Sequence, residues 1–135
     1  GYQFLVDFGA AIPQMLADEP APLGLGAGPA PDHMLLAAVA NCLSASLLFS
    51  LQKFKQDPGA LKATATAEVG RNENKRLRIM GINVKLELGQ AAADIEHLDR
   101  VLAQFEEFCT VSMSVRQGIA INVQVQDGTG ALLKG

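Results

Sequence analysis

The sequence predicts an α+β fold, in one domain that covers residues 1–135. Three patterns predict it: a long apolar helical stretch, a pair of alternating strand segments after it, and a second amphipathic helix before a last alternating segment. A strand, a long helix, two strands, a helix and a strand, in that order, are typical of an α+β domain.

The N-terminal part begins with a predicted strand and continues as an irregular loop. Residues 2–8 have the apolar and aromatic character of a strand. Residues 18–31 hold four of the six prolines and three glycines, so regular structure is not expected there. The first helix is expected to start just after Pro31, with Asp32 in its cap or first turn. It should run to about Gln56, where an Asp-Pro-Gly turn ends it.

Alternation of apolar and polar residues predicts the strands that follow. Residues 61–69 alternate regularly, which indicates a half-buried strand with its odd-numbered residues inward. In residues 77–88 the apolar positions change parity midway. One extra residue near Met80 and Gly81 would restore a single apolar face, so a β-bulge is expected there.

The last third of the chain predicts two helices and a strand. Apolar residues at steps of three and four indicate an amphipathic helix with Ile95, Leu98, Leu102, Phe105 and Phe108 on its inner face. A short helix should follow Thr110 and end at Gly118, and residues 119–125 alternate as a final strand.

Composition narrows the function classes. The hydrophobic fraction is 49%, charged residues are 19%, and the mean hydropathy is +0.19, which is apolar for so small a domain and favours a homodimer. The net charge is −3 and no Lys/Arg stripe is present, so nucleic-acid binding is not expected. The apolar stretch 34–51 is interrupted by polar residues, which argues against a membrane span. Because no basic region followed by an apolar run opens the sequence, we expect a cytoplasmic protein.

Two cysteines are the main candidates for chemistry. Cys42 lies within the long apolar helix, and Cys109 follows the second helix, 67 positions later (109 minus 42). They are either a redox pair or two inert core residues. With Thr110 as N-cap of the next helix, the Cys109 sulfur would lie beside free backbone N–H groups, which lowers a thiol pKa. His33 and His97 lack metal-ligand spacing, so neither a metal nor a cofactor is expected, and surface or cap positions are predicted for both.

Two motifs resemble those of a known family. Pro31-Asp-His-Met-Leu-Leu-Ala-Ala-Val-Ala-Asn-Cys42 and Phe108-Cys-Thr-Val-Ser112 resemble the two cysteine motifs of the OsmC/Ohr family of thiol peroxidases. The resemblance implies an OsmC-like fold, in which a long central helix packs on antiparallel sheets. It also implies an intertwined homodimer, with each site lined by both subunits.

The resemblance further implies a peroxidase that serves in oxidative stress defence. Cys42 would attack an organic hydroperoxide and become a sulfenic acid, and Cys109 would resolve it as a disulfide. A dithiol reductant, either a lipoyl protein or a thioredoxin-like protein, would then restore both thiols. Asp32 matches the family's acidic residue, which holds an active-site arginine.

The family's arginine has no counterpart here, because the first arginine of the chain is Arg71. The thiolate would then depend on donors at the start of the helix 111–117, or on Arg116 or Arg78 of a partner subunit. We therefore expect slower turnover than in a relative that has the arginine. The alternative is a catalytically weak or inactive OsmC-like protein that binds a small hydrophobic ligand.

Overall fold

A computed structural model describes all residues 1–135, in two units that run from Gly1 to Leu35 and from Leu36 to Gly135. In the first unit, strand β1 (Phe4–Val6) pairs with strand β2 (Met15–Ala17) in an antiparallel hairpin. The predicted strand at residues 2–8 is therefore confirmed in its central part, whereas β2 is an additional strand that the sequence did not indicate.

The loop after β2 is organised by one buried carboxylate. The Asp18 side chain is 1% exposed and accepts backbone N–H bonds from Glu19 at 2.8 Å, Leu25 at 3.2 Å and Ala27 at 3.0 Å. The Ala27 bond, opposed by desolvation and supported by the bonds from Glu19 and Leu25, holds the pKa of Asp18 below its usual value. An irregular but fixed loop follows from these bonds, in agreement with the proline-rich sequence.

Helix α1 (Pro31–Lys53) is the longest element of the fold and presents two unlike faces. One face forms a buried stripe of Val39, Leu43, Ser46, Leu47, Ser50 and Leu51. The opposite face, which includes Ala38, Ala45 and Phe49, is exposed although it is apolar. Its most apolar window has a mean hydropathy of 2.0 with 33% of the residues buried, so by length and composition alone α1 is long and apolar enough to span a membrane. The core helix of a soluble protein has the same properties.

Four strands form the sheet of the second unit, in the order β3 (Lys62–Arg71), β4 (Leu77–Glu87), β5 (Ala120–Gln126) and β6 (Leu132–Lys134). The β3–β4 and β5–β6 pairs are antiparallel, but β4 and β5 are parallel. The expectation of antiparallel sheets is therefore wrong for the central pair. The chain returns from the end of β4 through a helical crossover, and such a connection makes the next strand parallel.

The predicted bulge lies in the β3–β4 pair. Glu68 faces Gly81, whereas the next residue, Val69, faces Ile79, so Met80 is left without a partner. Beyond the bulge, β4 buries Ile82 and its even-numbered successors Val84 and Leu86 completely or almost completely. This confirms the parity argument, since the extra residue resets the inward face. Strand β3 is covered less well than expected, and none of its residues is fully buried.

Between β4 and β5 the chain forms helix α2 (Leu98–Gln104) and helix α3 (Thr110–Val115), with 3₁₀ turns at Ala92–Asp94 and Phe105–Phe108. Ile95, Leu98 and Phe105 are buried as predicted, and Val101 is buried as well. Phe108 is 55% exposed, so its predicted inward position is wrong. The 3₁₀ turn explains the error, because its tighter winding rotates the residues after Gln104 away from the phase of an α-helix.

A second carboxylate fixes the turn between β5 and β6 to this crossover. Asp127 accepts bonds from the Ala92 N–H at 2.8 Å, from the Thr129 N–H at 2.9 Å and hydroxyl at 2.7 Å, and from the Ala131 N–H at 3.0 Å. The Ala92 bond, followed by the Thr129 hydroxyl, lowers the pKa of Asp127 to about 2. The final strand is thereby held beside the segment that leads to α2.

Candidate functional site

Cys42 lies near the middle of α1, at the border between its two faces. The next residue, Leu43, is fully buried, whereas the preceding Asn41 is exposed, and Cys42 itself is half-buried. The residues around it are apolar and favour helix, so its backbone position needs no cap or turn to hold it. A thiol at this border is accessible from outside while it remains in apolar surroundings.

Cys109 is the N-cap of α3, one residue earlier than the predicted cap at Thr110. Its backbone is extended, and its sulfur accepts the Ser112 N–H at 3.4 Å. Its carbonyl accepts the Met113 N–H at 3.1 Å and the Ser112 hydroxyl at 3.5 Å. The residue has 0% exposure, which makes Cys109 part of the core as well as the cap of a helix.

The two cysteine side chains interact directly. Burial raises the pKa of the Cys109 thiol, the Ser112 hydroxyl and N–H lower it, and Cys42 raises it through a hydrogen bond and through charge. The net pKa of Cys109 is above its ordinary value, so the expected lowering is wrong. The sequence indicated the N–H donors but not the loss of solvent, and desolvation is the larger effect. Both thiols are free, with no disulfide between them.

Asp32 lies in the first turn of α1, as predicted. Its Oδ1 atom accepts the N–H of His33 at 3.1 Å, and it forms no ion pair with any arginine. His33 Nδ1 accepts the N–H of Ala30, the residue before the helix, at 3.0 Å. A side chain at this position that accepts the N–H of the capping residue acts as the glutamate of a capping box does. The cap position predicted for His33 is therefore confirmed.

No arginine donates a hydrogen bond to either sulfur. Arg71 and Arg78 bond to backbone carbonyls of Lys75 and Leu77, at 2.9 and 2.8 Å. Arg116 pairs with Glu106 at 2.6 Å. Within one chain, the two arginines suggested as thiolate partners are thus engaged elsewhere.

One cluster near the cysteines in sequence was missed. The Lys53 ammonium lies 4.9 Å from the centroid of the Phe49 ring and 5.0 Å from that of Phe108, and it has no carboxylate partner. Phe49 is 54% exposed, like Phe108. Phe49 follows Cys42 by seven residues on α1, the spacing of one helix face, and Phe108 directly precedes Cys109. Those two spacings were the available signal, although the ammonium between the rings is visible only in the fold.

An open groove lies apart from the cysteines. Its volume is about 660 Å³, and α2 and β6 line it with Ile95, Leu98, Leu102, Leu133 and Lys134 among others. Apolar side chains with a few polar groups are the usual lining of a small-molecule site.

Comparison with known proteins gives a family and a fold. Residues 24–124 match the profile of the family described as OsmC-like protein. The organic hydroperoxide resistance protein OsmC of Legionella pneumophila is 16% identical, covers 84% of this chain and 82% of its own, and superposes with a TM-score of 0.67. For OhrB of Bacillus subtilis, an organic hydroperoxide resistance protein, the identity is 12%, the shares are 92% and 97%, and the TM-score is 0.63. For an OsmC-like protein of Mycoplasma pneumoniae they are 18%, 87% and 84%, and 0.69. No curated protein sequence matches the chain significantly.

Proposed function

Because this chain belongs to the OsmC-like protein family, we propose that it is a thiol-dependent peroxidase that reduces organic hydroperoxides through Cys42 and Cys109. The observation that carries the proposal is the direct interaction of a half-buried thiol with a fully buried one. The accessible thiol suits attack on a substrate, and the buried thiol suits the second step, which needs no access from solvent.

The first step uses Cys42. Its thiolate sulfur attacks one oxygen of the hydroperoxide, an S–O bond forms, and the O–O bond breaks. The sulfur is oxidised to a sulfenic acid, and the departing alkoxide takes up a proton and leaves as an alcohol. A helix position that fixes the sulfur at a partly open surface favours this attack, since the substrate needs no rearrangement of the backbone to reach it.

The second step uses Cys109. Its sulfur attacks the sulfenic sulfur of Cys42, an S–S bond forms, and the S–O bond breaks, with hydroxide and the thiol proton leaving as water. A dithiol of a lipoyl or thioredoxin-like protein in the cytoplasm would then reduce the disulfide and become a disulfide itself. The raised pKa of Cys109 keeps this thiol protonated, so it is a poor first nucleophile.

Organic rather than small inorganic peroxides fit the surroundings of the site. The exposed rings of Phe49 and Phe108, with Lys53 between them, offer apolar contacts to a substrate body. Relatives of similar fold carry the name organic hydroperoxide resistance protein, which supports the same substrate class.

We also propose that the protein is a homodimer. The exposed face of α1 is apolar over several turns, as Ala38, Ala45 and Phe49 show. A second copy that covers this face would remove it from water, and the intertwined dimer implied by the family would do so. Sedimentation at micromolar concentration should give twice the chain mass, and a folded monomer there would contradict the proposal.

Turnover is expected to be slower than in a relative with an arginine at the thiolate. No arginine of the chain contacts the Cys42 sulfur, and the α3 N–H donor that lies nearest to the pair is used by Cys109. Transition-state charge on the departing oxygen therefore lacks one fixed donor, and loss of such a donor costs about a hundredfold in rate.

The deciding experiment is a kinetic screen of the reduced protein against alkyl and lipid hydroperoxides, with a lipoyl or thioredoxin-type reductant. Cys42→Ser should abolish turnover. Cys109→Ser should allow one turnover and leave a sulfenic acid that dimedone traps on Cys42. Ser114→Ala, an exposed change near Cys109, is the control and should keep wild-type rates. Turnover that survives Cys42→Ser would show that the nucleophile was assigned wrongly.

The competing function is a binding protein with inert thiols, which the 660 Å³ groove along α2 and β6 would suit. Thiol titration before and after addition of an organic hydroperoxide separates the two functions. Loss of both thiols per chain without crosslinks between chains supports the peroxidase. Unchanged thiols, together with binding of a hydrophobic dye that Leu102→Arg prevents, support the binding protein.

A further inference from the structure

Glu106 joins three elements around Cys109. Its Oε1 atom lies 2.6 Å from the Arg116 guanidinium, and its Oε2 atom lies 2.6 Å from the Lys134 ammonium. The carboxylate is mostly buried, with 17% of its side chain exposed. Both oxygens are thus engaged by opposite charges, one at the end of α3 and one on the last strand.

The same residue holds both ends of the segment that carries Cys109. The Glu106 carbonyl accepts the Cys109 N–H at 3.1 Å, just before α3 begins. At the other end of α3, Arg116 donates its N–H to the Ser112 carbonyl at 2.9 Å and its guanidinium to the Glu106 carboxylate. The six-residue helix is therefore closed at both ends on one glutamate.

Lys134 ties this closed segment to the sheet. Its ammonium also donates to the Leu102 carbonyl at 2.7 Å and lies 5.3 Å from the centroid of the buried Phe105 ring. β6 pairs with β5, so the carboxylate connects the Cys109 segment to the sheet edge. A helix of one or two turns is unstable by itself, and external contacts of this kind must fix it.

We propose that Glu106 is a positioning residue, which holds α3 in place and thereby keeps the buried Cys109 thiol against Cys42. The inference rests on the proposed function for its kinetic consequence, which is fast resolution of the Cys42 sulfenic acid. Disulfide formation demands a narrow range of distance and angle between the two cysteines, so a loosened α3 slows that step. Oxidation of Cys42 itself does not depend on Glu106.

The first test needs no peroxide chemistry. In a Cys42→Ser background, Cys109 is the only thiol, and a maleimide reagent reports how often its segment opens. Glu106→Gln should speed labelling about tenfold, the factor that corresponds to the loss of one hydrogen bond between charged groups. Glu107→Gln is the matched control, because Glu107 is exposed and unpaired, and it should label at the parent rate.

Single-arm variants keep the test informative if Glu106→Gln folds poorly. Lys134→Met removes the arm to the sheet, and Arg116→Lys keeps a charge at the end of α3. Labelling should rise for Lys134→Met and return towards the parent rate for Arg116→Lys relative to Arg116→Met. Equal rates for all variants and the control would overturn the proposal.

The second test uses the chain with both cysteines. After addition of an organic hydroperoxide, Glu106→Gln should leave the rate of Cys42 oxidation unchanged and prolong the sulfenic acid several-fold before the disulfide appears. An unchanged lifetime would contradict the positioning role. If no hydroperoxide oxidises the wild type, the proposed function fails, and the labelling result still decides whether Glu106 holds α3.

Discussion

The two cysteines lie in regions of opposite construction. Cys42 is part of a helix of 23 residues, whose length and apolar stripe fix its position without any special contact. Cys109 begins a helix of six residues and depends on hydrogen bonds to Ser112, Met113 and Glu106. One thiol is half-buried and the other is fully buried. The difference teaches that the fold can assign two roles to one residue type by access and support alone.

The largest effect that would sharpen this comparison is on stability. Leu43→Ala removes a fully buried side chain from the α1 stripe and should lower the free energy of unfolding by about 2–5 kcal/mol. Leu43→Met keeps the volume and should cost less than about 1.5 kcal/mol. The exposed change Ser114→Ala on α3 should stay within about 0.5 kcal/mol. Urea denaturation at one fixed protein concentration measures all three. A small loss for Leu43→Ala would show that α1 is not fixed by its stripe.

The second effect is on the reactivity of the two thiols. In the reduced wild type at pH 7.5, Cys42 should be alkylated by iodoacetamide about tenfold faster than Cys109, or more, because burial raises the pKa of Cys109 and blocks the reagent. As the pH rises, labelling of Cys109 in a Cys42→Ser chain should increase only above the pKa of an ordinary thiol. Peptide mass spectrometry separates the two sites. Equal rates at neutral pH would remove the basis for giving the cysteines different roles.

The smallest effect concerns Ser112. Its hydroxyl lowers the pKa of Cys109 against the larger effect of burial, so Ser112→Ala should raise that pKa further. In the Cys42→Ser chain, Cys109 should then react a few times more slowly at pH 8, and Ser114→Ala should leave its rate unchanged. Faster labelling of the Ser112→Ala chain would mean that the hydroxyl stabilises the closed segment more than it stabilises the thiolate.

Much of the fold follows from periodicity, because periodicity records which side of an element is buried. The start of α1, the bulge at Met80 and the burial of Phe105 were all predicted in this way. Strand direction leaves no such record, so the parallel β4–β5 pair was missed. β2 and β6 have three residues each, too few for a pattern to show.

The candidate site was predicted in its residues but not in its energetics. Both cysteines were identified from their motifs, whereas the pKa of Cys109 was given the wrong direction, because desolvation depends on the packed structure. The Lys53 ammonium between two rings and the double ion pair of Glu106 join residues distant in the chain. Contacts of that kind come from tertiary packing, and no local spacing indicates them.

The bulge at Met80 has a consequence for comparing sequences of this fold. A residue removed elsewhere within β4 would turn every side chain on one side of the gap to the opposite face of the sheet. Removal of Met80 would leave those directions as they are, because Ile79 and Ile82 already lie on the same side across the extra residue. Gaps between homologous chains should therefore accumulate at this one position of the strand and be absent from its neighbours.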